Sequence, residues 1–417
     1  MISSKLIASR GLFRISRRTV LSAGFSLEKE WSARHGELHK LGLGGDYEWI
    51  SAVQKKFIGG GTASAVDVDA ALCVAQHRDQ VDDVIELVYK LRHSENAADL
   101  PASGEYALIR LLLKHEPELI FKLVDDPINY GIFLNEHSAC LALDHFLKRD
   151  NVQGAAYLSA WVMQQEMTEN ELLNLLGLYA CAKWAELPVD QQTMPIPEKE
   201  EIEYGEDDMK TFRFPFLKNP HFDSHFDLVD PSHLAGKTLL WLARDSKTLT
   251  TEIKNSLRFL GAVLYNQLDV AGALASTSIQ GNVAEFVRQR FTPAEGAEIL
   301  PQHEEILKKL EGCETNETTL SSLVLEALET IKQKEEETLG LQQKNEFTAW
   351  NDRRNQLVRA QAEKVLLKIR AEEITKELKE LENEEERMFF FENRLKWEKK
   401  ANENKEIMEE RAAALKA

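Results

Sequence analysis

Residues 131–158, GIFLNEHSACLALDHFLKRDNVQGAAYL, contain the pattern that decides the fold. After the glycine, an apolar stretch of helical period runs until it breaks at the polar residues 148–151. The small residues Gly154, Ala155 and Ala156 then open a second apolar stretch. This pattern predicts two short helices joined by a tight turn. Two such helices bury little surface by themselves, so we expect them to be one unit of a larger stack.

The same pattern recurs along the first half of the chain. Residues 105–116 (EYALIRLLLKHE) align with residues 139–150 (ACLALDHFLKRD) at an offset of 34, and LLGLYACAKW suggests a third copy. Basic residues recur near the predicted helix ends at spacings of 36, 34 and 35: Arg78, Lys114, Lys148 and Lys183. Periods of this length indicate stacked helical hairpins. The basic residues either complement helix C-termini or contact phosphates, and both interpretations stay open.

Composition favours an all-α fold with an acidic body. The 417 residues are 43% hydrophobic and 29% charged, and Ala, Leu, Glu and Lys abound. We therefore expect a helical-hairpin solenoid followed by a long C-terminal helix. A net charge of −18 is unusual for a protein that wraps free nucleic acid unaided. Any RNA contact is thus expected to be local, or to be made inside a larger assembly.

The first 26 residues differ in composition from the rest of the chain. They are rich in serine and hold five basic side chains (Lys5, Arg10, Arg14, Arg17 and Arg18) and no acidic one. Apolar residues are interleaved with the basic ones, and there is no continuous apolar core of the secretory type. This composition predicts a mitochondrial presequence over residues 1–26, with a basic tail as the simpler alternative. No later segment is long and apolar enough to span a membrane.

Four further segments follow from the pattern along the chain. Helical repeats are predicted for residues 27–189, and an acidic, proline-containing linker or loop for residues 190–220. Helical periodicity returns, less regularly, in further hairpins over residues 221–315. A long charged helix or coiled coil is predicted for residues 316–417, because no glycine or proline occurs after Gly340.

The C-terminal segment combines charge with an apolar stripe. Leu367, Ile374, Leu381, Met388 and Leu395 recur every seven residues, but their partner positions become acidic after Leu378, so a symmetric coiled coil fails there. An aromatic cluster of Phe389, Phe390, Phe391 and Trp397 lies in this charged segment. We predict that the cluster contacts a protein partner. A solvated charged helix with fraying ends is the alternative.

The sequence matches known catalytic and metal-binding motifs only in part. Gly236-Lys237-Thr238 matches the end of a phosphate-binding loop, but Pro231 stands where its first glycine belongs and no strand precedes it. Lys237 is expected on a helix surface, with Gly236 allowing close helix packing. The HxDxH spacing at residues 221–225 lacks a second ligand cluster. The cysteines (Cys73, Cys140, Cys181 and Cys313) form no CxxC pair and are expected to be buried thiols. We predict no enzyme activity, metal, cofactor or small-molecule substrate.

The quoted stretch resembles a pentatricopeptide repeat. The positions that carry this resemblance are Gly131, Ile132, Leu143, Phe146, Lys148, Val152 and Ala155. The segments LVYKLRHSEN, LIRLLLKHE, NYGIFLNEHSACLALDHFLKRDN and VMQQEM, in that order, resemble a pentatricopeptide family of the animal mitochondrial small ribosomal subunit. The resemblance is good over residues 70–185 and faint over residues 220–300. It implies a non-catalytic protein of the mitochondrial matrix that contacts small-subunit ribosomal RNA and neighbouring ribosomal proteins.

The resemblance also indicates how RNA is contacted. Repeats that read single bases carry a polar residue where this chain has Cys140 and, one repeat earlier, Tyr106, whereas Asn135 fills the other reading position. Because Cys140 and Tyr106 lack amide-type groups, base readout is not expected, although Tyr106 could stack on a base. We predict RNA contact at Tyr106, Arg110, Lys114, Lys148 and Arg149. A free mitochondrial RNA-processing factor and a helical adaptor that never touches RNA remain alternatives.

Overall fold

The computed structural model describes residues 20–40, 45–197, 225–275, 277, 279, 283–291, 301–310 and 318–414, and every regular element among them is helical. The α-helices are α1 (Glu28–Lys40), α2 (Asp46–Lys56), α3 (Ala65–Val74), α4 (Val81–Arg92), α5 (Ala102–His115), α6 (Leu119–Asp125), α7 (Pro127–Tyr130), α8 (Glu136–Lys148), α9 (Val152–Gln164), α10 (Glu171–Ala185), α11 (Pro231–Asp245), α12 (Thr251–Leu264), α13 (Leu268–Leu274), α14 (Val283–Phe291), α15 (Pro301–Leu310), α16 (Leu320–Met388) and α17 (Phe390–Ala414). The predicted all-α fold is confirmed.

Two rows of helices form the repeat region. In the first row α3 packs on α5, α5 on α8 and α8 on α10. In the second row α4 packs on α7, α6 on α9 and α9 on α11. The starts of α5 and α8 are 34 residues apart, and α10 starts 35 residues after α8, as the repeat spacing predicts. The chain is therefore a stack of helical hairpins in which each unit covers its neighbour.

The quoted stretch forms the predicted hairpin, α8 and α9. Gly131 ends α7 in the left-handed conformation, with φ of 60°, which glycine adopts without strain. The Asn135 side chain accepts a hydrogen bond from Ser138 N (2.8 Å) and begins α8, while Asn151 accepts from Gly154 N (2.8 Å) and begins α9. Such N-caps satisfy backbone amides that the first helical turn leaves unpaired. Local sequence thus fixes both helix starts.

A close crossing joins α11 and α12 at two glycines. A Cβ added to Gly236 would lie 2.6 Å from Tyr265 N and 2.8 Å from Gly261 O, both of which are backbone atoms. The expected packing role of Gly236 is therefore confirmed. Lys237 lies on α11 as expected but is buried, and its Nζ lies 5.1 Å from the ring centroids of Trp241 and Tyr265. The prediction of a surface lysine was wrong because these two rings cover its stem and charge.

The chain divides into residues 1–351 and residues 352–417. The second unit contains the rest of α16 and all of α17, with a break in the helix at Phe389. Residues 352–388 extend about 55 Å at 1.5 Å per residue. Most of the predicted presequence, residues 1–19, and most of the predicted acidic linker, residues 198–220, lie outside the described residues. Cys73, Cys140 and Cys181 are buried thiols, as expected, and Cys313 lies outside the described residues.

The Gly236 crossing makes a stability prediction. We expect Gly236→Ala to lower the free energy of unfolding by about 1–3 kcal/mol, because the new methyl group overlaps backbone that cannot rotate away. Gly340→Ala is the matched control, since nothing lies within 4 Å of its added Cβ inside α16. The control is expected to raise the free energy by about 0.5–1 kcal/mol. Urea denaturation of both variants checks this, and equal shifts would contradict the crossing.

Candidate interaction surface

Residues 21–27, named here the N-terminal segment, pack against α5 and α8. Leu21, Phe25 and Leu27 are buried. Leu21 N donates to Asp144 Oδ1 (3.0 Å), and Ser22 N donates to Glu336 Oε1 of α16 (2.9 Å). The Phe25 ring stacks on His137 at 4.5 Å between centroids. The end of the predicted presequence, residues 20–26, is therefore part of the packed body.

A chain of hydrogen bonds runs from Arg110 to the N-terminal segment. Arg110 Nη1 donates to Tyr106 Oη (3.2 Å), Tyr106 Oη lies 3.0 Å from His137 Nδ1, and His137 Nε2 lies 2.9 Å from the carbonyl oxygen of Phe25. A carbonyl only accepts, so Nε2 carries the proton and Nδ1 accepts from the Tyr106 hydroxyl. Burial, with the nearby Arg110 charge, lowers the pKa of His137 to about 4. The neutral ring is thus fixed between its two partners.

Four aromatic side chains, named here the aromatic hub, join three segments. They are Trp31 of α1, Tyr106 of α5, and Phe347 and Trp350 of α16. Tyr106 lies 5.2 Å from Trp31, 5.5 Å from Phe347 and 5.4 Å from Trp350 between centroids, all favourable aromatic distances. Burial raises the pKa of Tyr106 to about 12. The hub holds α1 and α16 on the first row of repeat helices.

Polar contacts extend the same interface along α16. Asn135 Nδ2 donates to Gln343 Oε1 (2.9 Å), and Lys344 Nζ lies 2.7 Å from a Glu30 oxygen. The hydrogen bond from Lys344 is the main reason that the pKa of Glu30 is lowered. At the start of the helix, Ser321 N and Oγ both donate to Glu186, at the end of α10. The face of the first row is therefore covered by the chain's own segments.

This cover occupies the positions at which the resemblance to a pentatricopeptide repeat places base reading. Cys140 is fully buried, Tyr106 is 2% exposed, and Asn135 caps α8 and binds Gln343. The buried Tyr106 ring packs against its aromatic neighbours, which disfavours the predicted stacking on a base. No motif in the sequence marks Trp31, Phe347 or Trp350. The available signal was the presence of large aromatic residues on otherwise charged helices.

The structure brings three of the predicted basic residues together. Arg110, Lys114 and Lys148 line one cavity of about 240 Å³, with Glu28, Asp144 and His145 also on its wall. Arg110 is 10% exposed, pairs with Glu28 and donates to Ser26 O (2.6 Å). These contacts within the chain disfavour the predicted phosphate contact of Arg110. Lys148 pairs with the buried Asp144, whereas Lys114 is exposed.

The repeated basic residues also link successive repeats. Lys183 Nζ lies 2.7 Å from Asp150 in the preceding hairpin, and Arg78 Nε lies 2.8 Å from Glu116 in the following one. Lys114 Nζ lies 3.4 Å from Gln76 O. Neither interpretation from sequence anticipated these contacts, because they depend on which turns the stack brings together. Arg149 is exposed at the α8–α9 turn.

The aromatic cluster near the C-terminus is open to solvent within this chain. The exposed fractions are 51% for Phe389, 47% for Phe390, 89% for Phe391 and 37% for Trp397. The apolar stripe from Leu367 to Leu395 is also exposed. Exposed apolar patches of this kind mark protein contacts. The predicted partner contact therefore stays a prediction that this exposure favours.

The described part of the chain contains neither a candidate membrane span nor a candidate metal site. No helix there is long and apolar enough to cross a bilayer. No group of three or more histidine, cysteine, aspartate or glutamate side chains gathers there in a way that fits a metal ion. His221 and Asp223 of the HxDxH spacing lie outside the described residues.

These features define a class: a helical-hairpin solenoid whose repeat face is filled by its own terminal segments. The model of the family described as mitochondrial 28S ribosomal protein S27 matches residues 1–380 of this chain. The chain belongs to this family. It is a structural component of the mitochondrial small ribosomal subunit, whose partners are ribosomal RNA and other ribosomal proteins. Membership in this family does not support a free RNA-processing factor or a stand-alone adaptor.

The His137 network makes a pH prediction. Because the folded-state pKa of about 4 lies below the usual 6.5, the unfolded chain binds this proton first. Stability is therefore complete above about pH 6.5 and is lost as the pH falls towards 4. Burial lowers the pKa of His145 to about 4 as well, so its contribution has the same sign.

We expect His137→Gln to reduce the slope of unfolding free energy against pH by up to about 1.4 kcal/mol per unit. The slope should not vanish, because His145 remains. Urea denaturation from pH 4 to pH 7 measures both proteins. An unchanged slope in the variant would contradict the neutral, buried histidine.

Proposed function

We propose that this protein works in the mitochondrial matrix as a pentatricopeptide-type scaffold of the small subunit that does not read bases. The observation that carries the proposal is the cover on its first row of helices. Where a base-reading repeat leaves a polar face open, this chain places Phe347 and Gln343 of α16. A filled face keeps its shape without RNA, so the solenoid contributes a rigid surface to the assembly.

Contact with ribosomal RNA is proposed at the edge of this scaffold. Lys114 lies at the C-terminal end of α5, and Lys148 and Arg149 lie at the C-terminal end of α8, where the α8–α9 turn begins. Lys114 and Arg149 are exposed, and Lys148 is half-buried. Their charge reaches phosphates without base contact, which gives position rather than sequence specificity. The acidic body then limits RNA contact to this edge.

Charge reversal tests the RNA edge. We expect the double variant Lys114→Glu/Arg149→Glu to lower the fraction of protein that sediments with the small subunit on sucrose gradients at raised salt. The salt dependence of RNA binding should weaken by about one unit of log–log slope for each lost contact. Lys308→Glu is the control, because Lys308 is an exposed helix residue paired with Glu304 on α15. Equal loss in the control, or no loss in either, would contradict an RNA edge.

Contact with a protein partner is proposed for α17 and the end of α16. The exposed Phe391 and Trp397 flank the exposed Leu395 on a charged helix. Aromatic side chains on such a surface are typical anchors of interfaces. From Leu367 to Leu378, before its partner positions become acidic, the seven-residue stripe supplies a coiled-coil-like face for an apolar partner helix.

Serine substitution tests the partner contact. We expect Phe391→Ser/Trp397→Ser to lose one or more neighbouring ribosomal proteins in affinity purification after crosslinking, with thermal stability unchanged. The free chain already exposes both side chains, so their loss costs the fold little. Asn402→Ser, also exposed on α17, is the matched control. If the double variant and the Asn402→Ser control crosslink to the same set of proteins, the proposed partner contact is wrong.

A further inference from the structure

We infer that residues 21–27 stay in the mature protein, and that removal of the basic leader stops at or before the bond between Val20 and Leu21. The inference rests on the mitochondrial location of the proposed function. It corrects a leader that ends at residue 26, which composition alone predicts. The retained segment acts as a structural part that ties α5, α8 and α16 together.

Side-chain burial is the first argument. Leu21 is 1% exposed, Phe25 4% and Leu27 6%, so three of these seven residues are core residues. Phe25 stacks on the buried His137. A cut after residue 26 would remove Leu21 and Phe25 and leave apolar surface of α5 and α8 without its cover. Segments destined for removal have no reason to carry side chains that complete a core.

Backbone hydrogen bonds are the second argument. Asp144 is 4% exposed and accepts from Leu21 N (3.0 Å), and the Phe25 carbonyl oxygen is a partner of His137 Nε2 (2.9 Å). Arg110 Nη1, on a side chain 10% exposed, donates to Ser26 O (2.6 Å). Loss of the segment would leave His137 Nε2 without this partner and Asp144 and Arg110 with one fewer each. Leaving a buried polar group without a hydrogen-bond partner lowers the stability of the fold.

The distribution of basic residues along the sequence is the third argument. The five basic residues of the leader all precede Thr19, and residues 19–27 (TVLSAGFSL) contain none. The leader pattern therefore ends where the packed segment begins. Asp144 and Glu336 accept the amide hydrogens of Leu21 and Ser22. A new α-ammonium group on Leu21 would lie beside the Asp144 carboxylate, so the folded chain accommodates an N-terminus at this residue.

Mass spectrometric identification of the N-terminus of the protein from mitochondria, after amine labelling, tests the inference. We expect the first residue to be Leu21 or a residue between Met1 and Leu21. A first residue at Ser22 or beyond overturns the inference but leaves the ribosomal role intact. An unprocessed Met1 overturns the leader itself, and with it the cut. Loss of the ribosomal role would show separately, as slow sedimentation away from the small subunit.

Substitution in the full chain tests the structural role of the segment. We expect Phe25→Ala to lower the Tm by at least about 3 °C. Ala23→Ser, two residues away and exposed, is the matched control and should leave the Tm unchanged. If Phe25→Ala and Ala23→Ser melt at the same temperature, the segment is dispensable and the argument for its retention fails. If Phe25→Ala does not accumulate at all, the N-terminus of the wild-type protein still decides the question.

Discussion

The buried side chain of Tyr106 is the contact on which the arrangement of the chain depends. Its ring packs against Trp31, Phe347 and Trp350, and its hydroxyl links Arg110 to His137. One residue of the first row therefore orients α1, α16 and the N-terminal segment at once. Because the hydroxyl is buried, both of its hydrogen bonds must be made, which leaves few alternative packings.

The packing of α16 around Tyr106 closes the face on which a helical-repeat stack would read RNA bases. An open stack exposes polar side chains at fixed positions, and a strand of RNA then aligns with them one base per repeat. Here the corresponding positions are buried or bound to α16, so the stack presents protein surface instead. A preformed, acidic scaffold suits a ribosomal subunit in which basic neighbouring proteins supply the complementary charge.

Local rules predicted much of the fold. The repeat period placed α5, α8 and α10, and the glycine of the Gly-Lys-Thr run predicted a close crossing that the distances confirm. The site was harder to predict, because its contacts join residues far apart in sequence. Asn135 and Gln343 are 208 positions apart, and Arg110 and Ser26 are 84 apart. A basic residue looks the same in sequence whether it faces phosphate or a carboxylate of its own chain. The pairing of Lys183 with Asp150, 33 positions apart, appears only once successive hairpins stack.

A density map of the assembled small subunit at side-chain resolution tests the central claim most directly. The account predicts that Tyr106 packs against Phe347 and Trp350, and that Asn135 bonds to Gln343, with ribosomal RNA confined to the edge near Lys114 and Arg149. Ribosomal RNA stacked against Tyr106 or threaded past Cys140, with α16 displaced from the first row, would contradict it.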